Sequence, residues 1–164
     1  MQQPPTLVRM DDQQWIHRIA LSMLKGIGPV NARNLVAYCS GVDPIFSDKK
    51  LKNTLEKVPG IGPKLIASIT DKKVLPAAEK ELAYVRKNKL RMLFYLDDDF
   101  PRRLKQAEDA PVLLFTKGNM DPDTTHMVSI VGTRSPTEAG KRLCVELVEG
   151  LKEVNATIVS GLAY

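Results

Sequence analysis

The residues best suited to chemistry lie in Val128-Ser129-Ile130-Val131-Gly132-Thr133-Arg134-Ser135-Pro136-Thr137-Glu138 and in Thr157-Ile158-Val159-Ser160-Gly161-Leu162-Ala163. In each, an apolar strand pattern runs into small polar residues. In the first, an arginine and a helix start follow. Gly132 lets the backbone approach a ligand closely, and Arg134 offers a planar fork matched to phosphate. Ser135-Pro136-Thr137-Glu138 reads as a capped helix start, with Ser135 at the N-cap, Pro136 in the first helical position and Glu138 completing a capping box. A helix N-terminus there adds unpaired N–H groups and the positive end of its dipole. Ligands of open α/β sheets bind beyond the C-terminal ends of the strands. Gly132, Thr133, Arg134 and Ser135 fall at one such end, and Ser160 and Gly161 at another. The chemistry expected is phosphate binding. The alternative for Arg134 is a surface arginine with no ligand.

Several better-known sites are excluded by spacing. A dinucleotide fingerprint needs glycines where Arg134 and Thr137 stand, and a P-loop needs the Gly-Lys-Ser/Thr ending that the run from Gly132 to Gly140 lacks. No Ser/His/Asp or Cys/His set is readable. His17 and His126 stand apart from each other and from Cys39 and Cys144, so neither a metal nor another cofactor is expected. Both cysteines read as buried reduced thiols. Asp97-Asp98-Asp99 reads as a strand-ending turn with solvated carboxylates. Aromatic residues are few and fall mostly on apolar faces, so no base-stacking platform is evident.

The elements that must position these residues change character near Pro76. Before it, the period is helical. Asp12 to Lys25 carries Trp15, Ile16, Ile19, Ala20, Met23 and Leu24 on one face, with Asp11 or Asp12 as the cap. Further helices are predicted over Asn31–Cys39, Leu51–Val58 and Pro63–Thr70. After Pro76 a helix is predicted over Ala77–Lys87. Strands follow over Leu90–Leu96, Pro111–Thr116, Met127–Val131 and Ala156–Ser160, with a helix from Pro136 to about Glu153. Apolar strands alternating with helices indicate a mostly parallel sheet covered on both faces.

The front half also repeats itself. Leu24-Lys25-Gly26-Ile27-Gly28-Pro29 recurs 34 residues later as Val58-Pro59-Gly60-Ile61-Gly62-Pro63. Glycine permits the positive φ of a tight hairpin, proline suits the first turn of the next helix, and the isoleucine plugs the hairpin into the core. This is a helix-hairpin-helix signature in two tandem copies. Such a hairpin either offers N–H groups to a DNA phosphate or serves as a packing or partner-binding device. Gly60, Gly62 and Lys64 are the candidate secondary DNA contacts; Val30 stands where the first copy would need a matching lysine.

Composition bounds the partner class. The 164 residues are 43% hydrophobic and 26% charged, as in ordinary globular proteins. Residues 1–75 hold 11 Lys and Arg against 6 Asp and Glu, whereas residues 76–164 hold 13 of each. The positive excess of the front half favours a polyanion such as nucleic acid. No apolar run is long enough to span a membrane. Met1-Gln2-Gln3-Pro4-Pro5 lacks the basic end and apolar core of a secretory signal.

At these residues the chain resembles the DNA-processing protein A family (DprA, also called Smf). The resemblance rests on the helix-hairpin-helix front and on Phe100-Pro101, Leu104, Asp109-Ala110-Pro111, Val112 to Phe115 and Lys117-Gly118. It continues through Ile130-Val131-Gly132-Thr133-Arg134, Thr137, Gly140 and Ile158 to Ala163. It implies a helical SAM-like domain over 1–75 and the N-terminal part of a Rossmann-like DNA-binding domain over 76–164. It further implies a cytoplasmic, non-enzymatic protein that binds single-stranded DNA in natural transformation and loads a RecA-type recombinase, as a homodimer in full-length members. Gly132, Thr133 and Arg134 match the family's DNA-binding loop, with Ser160 and Gly161 beside it. Ala139 and Phe100 depart from the family's usual aromatic and tyrosine. The chain stops at Tyr164, before the Gly-Ile-Asp expected next, which implies an N-terminal portion. The competing enzyme reading is a nucleoside-monophosphate hydrolase, whose Gly-rich loop and helical glutamate are not found.

Overall fold

The computed structural model describes residues 11–48, 51, 55–119 and 121–161. They fall into two compact units, Met1–Asn119 and Met120–Tyr164. The first unit comprises α1 (Asp12–Met23), α2 (Pro29–Tyr38), α3 (Asp43–Ser47), α4 (Pro63–Ile69), α5 (Val74–Lys87), β1 (Arg91–Phe94), the one-turn α6 (Arg102–Lys105) and β2 (Leu113–Thr116).

Helix α1 is the centre of this unit. It buries Ile19, Ala20 and Leu21 and packs chiefly on α5, whose Ala78, Leu82 and Val85 are buried in turn. The helix stops short of Lys25 because Leu24 turns extended (φ −64°, ψ 118°), and Met23 is left half exposed. Of the helix expected over Leu51–Val58, residues 52–54 lie outside those described; Leu51, Leu55 and Val58 are buried in the core. Met1 to Pro5 and Leu162-Ala163 also lie outside the described residues. His17, an isolated residue in the sequence, is buried. Its Nδ1 lies 2.7 Å from Asp43 Oδ1, its Nε2 lies 2.9 Å from Gln13, and its ring stacks on Phe46.

The two Gly-Ile-Gly-Pro segments take matching conformations. Gly26 and Gly60 sit at φ +77° and +80°, in the left-handed region that favours glycine. Gly28 and Gly62 are extended N-caps, and Pro29 and Pro63 open α2 and α4. Each turn abuts the other's helix. A methyl group on Gly26 would meet Leu65 Cδ2 at 3.1 Å, and one on Gly60 would meet Asn31 Oδ1 at 3.0 Å. Asn31 and Leu65 occupy the same place in the 34-residue repeat, so the two contacts are reciprocal.

Strands β1 and β2 pair antiparallel, with Arg91 opposite Thr116 and Phe94 opposite Leu113, where a parallel arrangement was expected. The cause is the turn directly after β1. The Asp97 N–H bonds to the Phe94 carbonyl at 2.8 Å, and the Asp97 carboxylate accepts the Phe94 N–H at 2.9 Å. The chain turns there and returns through residues 95–112, with only the one-turn α6 between the strands, instead of crossing over through a long helix. Asp97 is also tied to Arg18 of α1, at 2.8 and 3.0 Å. Phe94, Val112 and Leu113 belong to the same core as α1 and α2. Residue 76, where the sequence changes character, lies within α5, and the division between compact units falls at 119/120.

The second unit contains β3 (Met127–Ser129), α7 (Glu138–Leu151), a 3₁₀ turn (Lys152–Val154) and β4 (Thr157–Val159). Here the expected parallel pairing is present, with Met127 opposite Thr157 and Ser129 opposite Val159. None of its described residues is buried. Leu143 of α7 is 65% exposed, and Cys144, expected to be buried, is exposed as well. Two strands of three residues offer too little surface to cover a four-turn helix.

Candidate functional site

The parallel pair fixes where the two expected loops emerge. The Thr157 N–H bonds to the His126 carbonyl at 2.9 Å, and the Ile130 N–H bonds to the Val159 carbonyl at 2.8 Å. The Thr124 hydroxyl adds a 3.1 Å bond to the Thr157 hydroxyl. The ladder therefore runs to the last residues of both strands. The segment Gly132–Ser135 and the pair Ser160-Gly161 leave it at the same, C-terminal edge. All six of these residues are exposed. A methyl group on either Gly132 or Gly161 would meet no atom within 4 Å, so the backbone is open to an approaching ligand at both.

The helix start differs from the capping box expected. α7 begins at Glu138, and its N-cap is Thr137, whose Oγ1 accepts the Gly140 N–H at 3.1 Å. Pro136 stands before the cap. Ser135 does not cap the helix; its N–H donates to Thr133 Oγ1 at 3.2 Å. Glu138, now in the first helical position, pairs with Lys141 at 2.7 Å. The Thr-x-x-Gly spacing beside a proline was the signal available for this shift. The consequence is a compact Thr133-Arg134-Ser135 turn set just ahead of a helix N-terminus, whose first N–H groups lack intrahelical acceptors.

In the first unit Gly60, Gly62 and Lys64 are exposed at the start of α4. Gly28 and Gly62 face open space, whereas Gly26 and Gly60 are closed off by Leu65 and Asn31. Each repeat thus uses its first glycine for packing and exposes its second. Among the described residues, no three His, Cys, Asp or Glu side chains gather as metal ligands would, and no helix is long and apolar enough to cross a membrane.

Residues 91–164, which include both loops, match the family model described as DNA recombination-mediator protein A. Over those residues the chain resembles the DprA/Smf family. It is similar to Protein Smf of Synechocystis, at 28% identity over 158 residues, covering 94% of this chain and 39% of the relative. It is also similar to the DNA processing protein DprA of Streptococcus pneumoniae, at 44% over 68 residues, covering 42% of this chain and 24% of that one. The DNA processing protein DprA of Bacillus subtilis is 34% identical over 89 residues, covering 54% and 30%. The chain thus spans two fifths or less of the length of these DprA/Smf relatives. No solved structure matches it.

Proposed function

We propose that this chain is a DNA-binding portion of a DNA-processing protein, and that it takes the backbone of single-stranded DNA. The observation that carries the reading is the joint exit of Gly132–Ser135 and Ser160-Gly161 from one edge of the β3–β4 pair. An open glycine, an arginine fork and a helix N-terminus there form a cradle of the kind phosphates occupy. The names of the relatives, DNA processing protein DprA among them, support DNA as the source of that phosphate. By the same family reading, the protein is cytoplasmic and non-enzymatic, hands its strand to a RecA-type recombinase and works as a homodimer in full-length members. Residues 1–75 are proposed as a tandem helix-hairpin-helix domain ahead of a Rossmann-like portion, with Gly60, Gly62 and Lys64 as secondary phosphate contacts.

Fluorescence anisotropy with a labelled oligo(dT), across a salt series, tests this. Affinity is expected to fall steeply with salt through counterion release. Arg134→Ala is expected to weaken binding about tenfold, the loss of one charge-assisted contact, and to flatten the salt slope by roughly one phosphate. Unchanged affinity and slope would overturn the assignment of Arg134.

A further inference from the structure

The first unit holds a groove of about 290 Å³ that none of the sites above uses, lined by Leu21, Ile27, Pro29, Pro111, Leu113 and Phe115 among others. It lies where the first Gly-Ile-Gly-Pro turn approaches β2. No residue of β1 lines it, so the groove follows the side of β2 turned away from β1. Among the described residues β2 pairs with β1 alone, so no other strand lies on that side.

The register says which backbone groups of β2 have no partner on β1. Tyr95 donates to the Val112 carbonyl, so in the antiparallel alternation the ladder bonds fall at 93/114 and 91/116. Leu113 and Phe115 then turn their N–H and C=O groups outward. The same two residues line the groove, and Phe115 is 42% exposed. Charge adds a further constraint. Residues 21–33 and 111–119 contain Lys25, Arg33 and Lys117 and no carboxylate. Arg33 is occupied by the carbonyls of Glu108 and Ala110, at 3.1 and 2.9 Å. Lys25 and Lys117 are exposed.

We propose that the free edge of β2 and this groove take an extended peptide segment of a partner protein, one whose apolar residues alternate and whose flanks are acidic. The segment adds a strand to β2, bonds to the outward groups of Leu113 and Phe115, and sets alternate apolar side chains in the groove. Its carboxylates meet Lys25 and Lys117. A nucleic-acid strand would use the two lysines but leave the row of outward N–H and C=O groups and the apolar floor unmatched. The proposal does not depend on the phosphate cradle at Arg134.

The probe is a synthetic peptide alternating valine with threonine and flanked by glutamates, added to the whole chain and followed by amide chemical shifts and hydrogen exchange. Shifts and slowed exchange are expected at Leu113 and Phe115. Phe115→Asp and, separately, Lys25→Glu with Lys117→Glu are each expected to weaken peptide binding about tenfold. A peptide N-methylated on its pairing edge is expected to bind no better than a scrambled one. Three results would overturn the proposal: no binding at millimolar peptide, equal binding by the N-methylated peptide, or competition at these amides by oligo(dT). Amides of Leu113 and Phe115 already protected without peptide would also overturn it, by showing the edge covered by the chain itself.

Discussion

Arg18 and Asp97, 79 positions apart, close the first unit with a single guanidinium nitrogen that reaches both carboxylate oxygens, at 2.8 and 3.0 Å. The guanidinium also lies over the rings of Phe94 and Trp15, at 4.3 and 5.1 Å from their centroids. Asp97 meanwhile accepts the Phe94 N–H. One carboxylate thus fixes the turn after β1 and anchors that turn to α1. Asp97→Asn keeps the shape and removes the charge, leaving Arg18 largely buried without its counter-ion. It is expected to cost about 2–3 kcal/mol, the range for losing a hydrogen bond to a charged group. Urea unfolding of the single and double variants measures it, and a double variant no worse than Asp97→Asn would show that the pair acts as one unit.

How much of this was legible beforehand depends on the range over which each feature is determined. The hairpin glycines, the α1 stripe and the two strand ends follow from local period and turn chemistry, and the structure has them close to where the sequence puts them. Asp97 was unreadable because its partner is on α1. With Asp97 went the antiparallel pairing of β1 and β2, which its turn imposes. His17 looked isolated for the same reason, since Asp43 reaches it from another helix. The shifted start of α7 is a different failure: Ser135 and Thr137 are both good caps, and Pro136 suits the first helical position after Ser135, so local chemistry alone pointed to the wrong one. Cys144 was read as a buried reduced thiol because it forms no CxxC pair and no secretory signal is present, and none of the described residues of its unit buries it.

The reciprocal hairpin contacts predict unequal glycines. Gly26→Ala and Gly60→Ala force a side chain into the left-handed region and against Leu65 or Asn31. Each is expected to cost about 1–3 kcal/mol. Gly28→Ala and Gly62→Ala meet open space in extended backbone and should leave the melting temperature nearly unchanged. Thermal unfolding of the four variants decides it.

The two cysteines should react at different rates. Cys144 is exposed, and Cys39 is buried with its thiol pushed above the ordinary value of 9.0, first by burial and then by Asp48. A colorimetric thiol reagent near neutral pH is expected to modify one cysteine quickly and the second only on unfolding. Burial also raises Tyr95 above 10.0, against an opposing pull from Arg33. In both groups the folded state holds its proton more tightly than the unfolded state does. Their contribution is therefore full below pH 9 and is lost as pH rises through the raised values. Stability should decline from about pH 9 upward, and Tyr95→Phe should flatten the upper part of that decline.

The open glycines at the strand ends separate binding from folding. Gly132→Ala and Gly161→Ala place a methyl group where nothing lies within 4 Å, and neither backbone has a positive φ. Their melting temperatures should match the parent. If a phosphodiester backbone lies against these peptides, the added methyl groups occupy its space, and affinity for oligo(dT) should drop about tenfold, or roughly 1.4 kcal/mol. Gly140→Ala is the control. It sits within α7, where the added methyl group would lie 3.4 Å from the capping Thr137 Oγ1. A loss of affinity shared equally by Gly132→Ala and Gly140→Ala would point to the helix start as a whole. A loss confined to Gly132→Ala and Gly161→Ala would place the strand against the edge where the two loops meet.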